Sequence, residues 1–472
     1  MNNRKRKGNQ MTKFITLLIC LLIFIQSSWS ETISNIYDLA VQNDPVMKAA
    51  RANLKVGKET ENISKSRLLP SLSSYADITE SERNSSASQV YSFISADPFF
   101  SRSFSDTETT SYGVSLNQAV FDLPAWYQFK SGKALSESAK AQFAADQQNL
   151  IIRVTNAYLS VLRAFDNNET RKAEQRAIFR QLEQTKERFE VGLLPITDVH
   201  EAQAIFDDAL VNSLEAKGAL AIAFDNLEVL TGERYDNLSG LSEKFNAENP
   251  TPLDANSWVT FSLENNFNIK VAKFGKDSSY NQAKAAAAEL YPRLTASARY
   301  SDSETEGSQI SYIPSLSSSN ISSLSDGHSF NLSFTMPIWS YGLNASSRQA
   351  KQRSIASEQS YEAVKRSTAQ SARAQHQLVI TNAARVKARK QAITSAESAL
   401  NATQAGYEVG TRNIVDLLSA QRALFQAKRN YANSKYDYIF AMMSLKEVAG
   451  QLSPQDIYQL NAWLDPKISV TR

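Results

Sequence analysis

Two short stretches carry the side chains best placed for chemistry: RFEVGLLPITDVHEAQ at 188–203 and GYEVGTRNIVDLLSAQ at 406–421. Each has an aromatic, Phe189 or Tyr407, then Glu-Val-Gly, an Asp six residues after the Gly, and Ala-Gln. Asp198 and Asp416 are carboxylates beside expected helix starts, where they favour the helix dipole, an electrostatic and not a covalent role. The rest of the chain offers no catalytic constellation. His200, His328 and His376 have no metal-ligand spacing, and there is neither a phosphate-cradling Gly loop nor a nucleophile motif. The sequence therefore predicts a non-enzyme without cofactor or metal, whose work draws its energy from a partner.

The repetition extends far beyond these stretches. At a shift of 218 residues, SYGVSLNQAVFD (111–122) falls on SFNLSFTMPIWS (329–340), Gly192 on Gly410, Asp198 on Asp416 and Gly232 on Gly450. Upstream the shift is 222, placing Pro70 on Pro292, and the difference lies between Leu72 and Ser111. A repeated unit is thus the organising element. Each copy opens with a helix-compatible segment (about 45–69 and 260–290) that ends at a proline. A short alternating strand follows, 72–78 or 294–300, then a Ser-rich loop, 79–110 or 301–328, and a second strand. In that second strand Phe330, Leu332, Phe334 and Met336 alternate with Asn331, Ser333 and Thr335; its counterpart alternates Tyr112, Val114 and Leu116 with Gly113, Ser115 and Asn117.

From about 125 to 232, and from 343 to 450, the pattern is helical, interrupted strongly only at the Gly of the opening motifs. Alternating steps of three and four give Val199, Ala202, Phe206, Ala209 and onward to Leu230, and Leu417, Ala420, Leu424, Ala427 and onward to Val448. The large–small alternation suits closely approaching coiled-coil helices. Gly192 and Gly410 can take the positive φ that ends a helix, and Thr197-Asp198 and Asn413 are expected to cap the helix that follows.

The first thirty residues have targeting character: Arg4, Lys5, Arg6, Lys7 and Lys13 precede FITLLICLLIFI (14–25), and Ser28 and Ser30 suit cleavage before Glu31. Without residues 1–30, 46 basic residues face 48 acidic ones, a formal charge of −2, so charge gives no argument for nucleic acid. The single cysteine, Cys20, lies in that leader, which leaves no disulfide chemistry. After Ser30 no apolar run is long enough for a transmembrane helix. Four strands cannot close a barrel alone, so if they are membrane strands the protein is an oligomer. Phe121, Trp126, Tyr127, Phe129, Trp339 and Tyr341 follow the second strand of each copy, where an aromatic girdle belongs. A soluble sheet with one buried face is the alternative.

The doubled unit, RFEVGLLPITDV, AGYEVGTRNIVDLLSA and the downstream AKRNYANSKYDYIFAMMSLKEVAGQLSPQDI resemble the TolC family of outer-membrane efflux ducts, over about residues 32–463. The resemblance implies a mixed α/β membrane protein: a homotrimer whose twelve strands form one outer-membrane barrel in contact with lipid. A periplasmic coiled-coil barrel continues it and closes at the helical tips. It implies an export duct for drugs, small molecules or proteins. The partners would be a periplasmic adaptor (membrane fusion) protein and an inner-membrane transporter of RND, ABC or MFS type. In the gate so implied, Tyr407 bonds Asp198, Arg412 reaches Thr197 and Asp198 of the adjacent subunit, and Gln181 faces Gln404, where the family pattern has an acid. Asp416 faces the tunnel as an acidic ring; Ser419 stands where such chains often carry a second acid. The competing view of Asp198 and Asp416 is that they only favour the helix dipole.

The expected division begins with a signal peptide at 1–30 and N-terminal helices at 31–69. Strands 1 and 2 with their extracellular loop occupy 70–121, and the first helical hairpin 122–232. An equatorial segment at 233–257 precedes a helix at 258–291. Strands 3 and 4 with their loop take 292–339, the second hairpin 340–450, and a C-terminal equatorial segment 451–472. The rival function is a periplasmic or outer-membrane coiled-coil scaffold without a pore, which leaves the paired strands unexplained.

Overall fold

The structure, a computed structural model, describes residues 30–89, 99–243, 245–313 and 315–472. The expected signal peptide lies outside these residues except for Ser30. In chain order the elements are α1 (Ile33–Asn43), α2 (Pro45–Ser66), β1 (Ser71–Gln89), β2 (Phe99–Phe121), α3 (Leu123–Glu190), α4 (Ile196–Thr231) and β3 (Asn237–Leu241). The second half continues with α5 (Ala255–Asn265), α6 (Phe267–Ala288), β4 (Arg293–Ile313), β5 (Ser315–Thr335), α7 (Tyr341–Glu408), α8 (Ile414–Val448), α9 (Pro454–Asn461) and β6 (Leu464–Thr471). They divide into two compact units. One comprises Asn53–Ala141 and Lys270–Ala363; the other comprises the segments up to Ala52, Gln142–Ile269 and Val364–Arg472.

The first of these units holds an antiparallel sheet of order β1-β2-β4-β5. Its strands are far longer than the alternating segments: 19, 23, 21 and 21 residues. The Ser-rich stretches expected as loops at 79–110 and 301–328 are therefore strand wherever they are described; 90–98 and 314 lie outside the described residues. The register explains how serine-rich chain stays extended. On one face hydroxyls meet across the ladder, as in Ser73–Ser115 at 2.8 Å, Ser85–Ser103 at 2.7 Å and Thr109–Thr305 at 3.0 Å. The other face changes character along the strand: the row Leu72, Leu116, Ala298, Phe330 is apolar, and the row Glu80, Glu108, Glu306 is acidic. The apolar residues are not covered: Leu72 is 72% exposed and Phe330 82%. A wall of this kind is at odds with water.

In the other unit the periodic helical sequences do what their spacing predicts. Of the two stepped series, Ala202, Ala209, Ser213, Ala216, Leu220, Ala223, Leu227 and Leu230 in α4 are buried, as are Leu417, Leu424, Ser434, Tyr438, Ala441 and Leu445 in α8. Alternating small and large side chains lets the helices approach while Phe224, Tyr158 and Tyr436 fill the main core. The segments that interrupt the helices join one another: β3 pairs antiparallel with β6, and Glu31 bridges to Leu238 beside it. Ser453 and Asp456 form a capping box at the start of α9.

The start of the chain is fastened by Asp44, a buried carboxylate that accepts the Met47 N–H at 3.0 Å and Arg153 Nη2 at 2.5 Å. Burial pushes its pKa up, but the hydrogen bond and charge of Arg153, with the Met47 and Val46 amides, outweigh burial and leave it lowered. A lowered native pKa means the stabilisation is complete above the unfolded value, about 4, and disappears as pH falls through the native one. Asp44→Asn is expected to cost about 2–3 kcal/mol at neutral pH. The difference should shrink below pH ~4, read as thermal midpoints of the two proteins across a pH series; a constant difference would contradict this role.

Candidate functional site

Both helical hairpins turn in the same way. Gly192 and Gly410 each have φ of 76°, a left-handed conformation that L side chains rarely adopt. The Gly192 N–H donates to Phe189 O at 2.8 Å and the Leu193 N–H to Arg188 O at 2.9 Å; Gly410 and Thr411 donate to Tyr407 O and Gly406 O at 3.1 and 2.8 Å. This pair of bonds closes a helix by satisfying its last carbonyls. The next helices start differently from each other. Asn413 Oδ1 accepts the Asp416 N–H at 2.8 Å and caps α8. In α4 the cap position belongs to Pro195, which makes no side-chain bond, so Thr197-Asp198 lies inside the first turn and is not the cap. The three-residue connection after each glycine fixes that position regardless of which nearby residue caps best.

Beneath the turns, Ile178, Leu182, Ala202, Ala209, Ile414, Leu417 and Leu418 form an apolar cluster around Tyr407. Contacts from α3, α4, α7 and α8 thereby hold the two tips of one chain side by side. Tyr407 is buried, and Arg188 lies over its ring at 5.2 Å. Its hydroxyl has no hydrogen-bond partner, so the expected Tyr407–Asp198 bond is not formed in this single chain. Thr197 Oγ1 reaches Asp198 Oδ1 at 3.4 Å, and both residues are accessible. Arg412 approaches Asp416 at 3.7 Å, one helical turn away, and both remain largely exposed. Gln404 donates to Glu408 at 3.2 Å, whereas Gln181 is buried, and the two are not bonded to each other. Arg412 makes no bond to Thr197 or Asp198 within the chain.

A second polar group lies along the same helices. Arg429 Nη1 bonds Glu174 Oε2 at 2.6 Å, Arg171 reaches the same oxygen at 3.1 Å, and both Arg429 and Glu174 are buried. Burial lowers the Arg429 pKa against the opposing pull of Glu174, with repulsion from Arg171 adding to the drop. The pair joins α3 to α8 across 255 residues of sequence. Nothing local marks it, since an Arg and a Glu on amphipathic helices ordinarily read as solvated. Among the described residues no group of three or more His, Cys, Asp or Glu could hold a metal ion. No helix among them is long and apolar enough to cross a membrane.

Residues 36–233 and 258–451 match the family model described as "Outer membrane efflux protein". The chain is similar to "Outer membrane protein TolC" of Vibrio cholerae, at 32% identity covering 96% of this chain and 99% of the relative. It is also similar to "Alkaline protease secretion protein AprF" of Pseudomonas aeruginosa, at 27% identity covering 93% and 88%. Among solved structures, the Campylobacter jejuni CmeC outer membrane channel superimposes with a TM-score of 0.72 at 17% identity, covering 92% of this chain and 90% of that one.

Proposed function

The chain belongs to the outer membrane efflux protein family, and from that premise we propose that three copies build a channel from the periplasm through the outer membrane. The observation that carries the reading is the sheet of the first unit. Its edge strands β1 and β5 each have one paired neighbour, and its apolar rows are uncovered. Four strands are too few to close, and the smallest bacterial barrels have about eight. Edge-to-edge pairing of β5 with β1 of the next chain removes both open edges and turns the apolar rows outward to lipid. The serine- and threonine-lined face then forms a polar lumen. The helices α3 and α7, 68 residues or about 100 Å each, are long enough to supply a periplasmic wall.

The duct does no chemistry. It receives cargo from an inner-membrane transporter of RND, ABC or MFS type with its periplasmic adaptor. Similarity to TolC and to a protease secretion protein supports export of small molecules and of proteins through one conduit. The six tips of the trimer, two from each chain, form the periplasmic gate. Arg412 of one chain meets Thr197 and Asp198 of its neighbour, and Tyr407 swings its unbonded hydroxyl to Asp198 as neighbouring tips close in. The neutral Gln181–Gln404 contact holds more weakly than a charge-assisted one.

The purified protein should elute from detergent as a trimer and conduct in a planar bilayer. Tyr407→Phe combined with Arg412→Ser should raise single-channel conductance several-fold by releasing the tips. A monomer that leaves lipid vesicles sealed supports the pore-less scaffold instead. A conducting trimer indifferent to the double substitution removes the gate assignment alone.

A further inference from the structure

We propose that the helix ends adjoining the sheet form a binding surface for the phosphate headgroups of anionic phospholipids. The proposal rests on reading the sheet as a membrane wall. Residues 123–136, 278–288 and 341–357 are the turns of α3, α6 and α7 nearest the strands. They carry Lys130, Lys133, Lys284, Arg348, Lys351 and Arg353; acids come only at their borders, at Asp122 and Glu137, Asp277 and Glu289, and Glu358. None of these six has a carboxylate within ion-pair distance among the described residues. The bordering acids are taken by other bases: Glu137 pairs with Lys140, Asp277 with Lys276 and Glu289 with Arg293.

Two of the six converge. Lys130 Nζ lies 5.4 Å from the Trp126 ring and 5.8 Å from the Tyr127 ring; Lys284 Nζ lies 5.6 Å from that same Tyr127 ring and 4.5 Å from Tyr280. Both ammonium groups therefore approach one aromatic with no anion between them. Arg348 likewise sits over Tyr341 at 6.0 Å. Amphipathic rings with bases at the edge of an apolar wall suit the headgroup level of a bilayer.

α3 and α7 begin here, so the positive ends of their dipoles point at the same level. A first turn usually favours acids, yet neither helix has one there; Asp122, which accepts the Ala125 N–H at 2.8 Å, caps α3 from outside. Helices α2 and α6 end at this level, so the dipoles offset one another and the bases themselves set a positive potential there. A phosphodiester fits it, and its affinity falls when a headgroup ammonium of the lipid faces the same lysines. Phosphatidylglycerol should therefore be held in preference to phosphatidylcholine.

Delipidated trimer in detergent, offered equal amounts of these two lipids with identical acyl chains, reads the preference by native mass spectrometry of the bound lipids. Wild type should retain the anionic lipid roughly threefold or more over the zwitterionic one. Lys130→Gln with Lys284→Gln should bring the ratio near one, and the Lys→Arg pair should restore it. Glycerol phosphate at the same concentration should not compete, which separates a lipid surface from a free-phosphate site. Equal retention by wild type, a preference surviving the Gln pair, or full competition by glycerol phosphate each overturns the proposal. Flotation of the wild type with pure phosphatidylcholine vesicles tests the membrane wall separately. A protein that floats but shows no preference loses only the headgroup surface.

Discussion

Replacing Asp416 by alanine is expected to raise, by roughly tenfold or more, the concentration of a trivalent cation that half-blocks the channel; tenfold corresponds to about 1.4 kcal/mol of lost cation binding. Asn413 caps α8 by accepting the Asp416 N–H, which sets that residue in the first turn behind the fixed Gly410 bend. Its neighbours Leu417 and Leu418 are buried in the tip cluster, so the helix face is fixed and the carboxylate is left at 42% exposure. Threefold symmetry would bring three such groups around the axis, where like charges focus a field that a multivalent cation relieves. Ser419 adds no second ring, so Ser419→Asp should move the half-blocking concentration the opposite way. Arg412, 3.7 Å from Asp416, offsets part of the charge within each chain. Current recordings with the trivalent ion titrated into the bath measure all three proteins. Block that persists unchanged in Asp416→Ala would show that the carboxylate faces elsewhere.

How much of this was legible depended on what each element needed. The helices were readable because one period runs through five heptads and only Gly192 and Gly410 break it; positive φ at both is the backbone counterpart of that break. The strands were only partly readable. Alternation of apolar and polar residues ends near Ile78 and Tyr300, but the ladder continues through Glu80–Glu108–Glu306 and the hydroxyl pairs, where both faces are polar and hydropathy has no period. Extension there is set by cross-strand bonding, a property of partners distant in sequence. The cap of α4 went to Pro195 in place of Thr197-Asp198 because loop length outranked side-chain preference. At the tip the two glycines marked the turns, while the bonds expected of Tyr407 and Arg412 with Asp198 are not formed within the chain and depend on surfaces that a sequence does not bring together.

The clearest case of such distance is Glu174, and Glu174→Gln is expected to destabilise the fold by about 3–5 kcal/mol. Arg429 is 6% exposed and has Glu174 Oε2 at 2.6 Å; its other polar contact is Gln426 Oε1 at 2.8 Å. Arg171, which shares the carboxylate, is more accessible and can turn to water. Neutralising Glu174 therefore strands one guanidinium in the packed interior, and the cost is that stranded charge more than the lost attraction. Changing both partners at once, Glu174→Leu with Arg429→Met, removes the charge as well and should recover most of the loss. Thermal unfolding of detergent-solubilised protein, followed by far-ultraviolet circular dichroism, distinguishes the two. A double variant as unstable as the single one would mean that packing, not charge, dominates the site. The pair joins a helix of the first repeat to one of the second, just past the cluster around Tyr407. The single variant should consequently also loosen the tips and raise the resting conductance, while the double variant keeps it low.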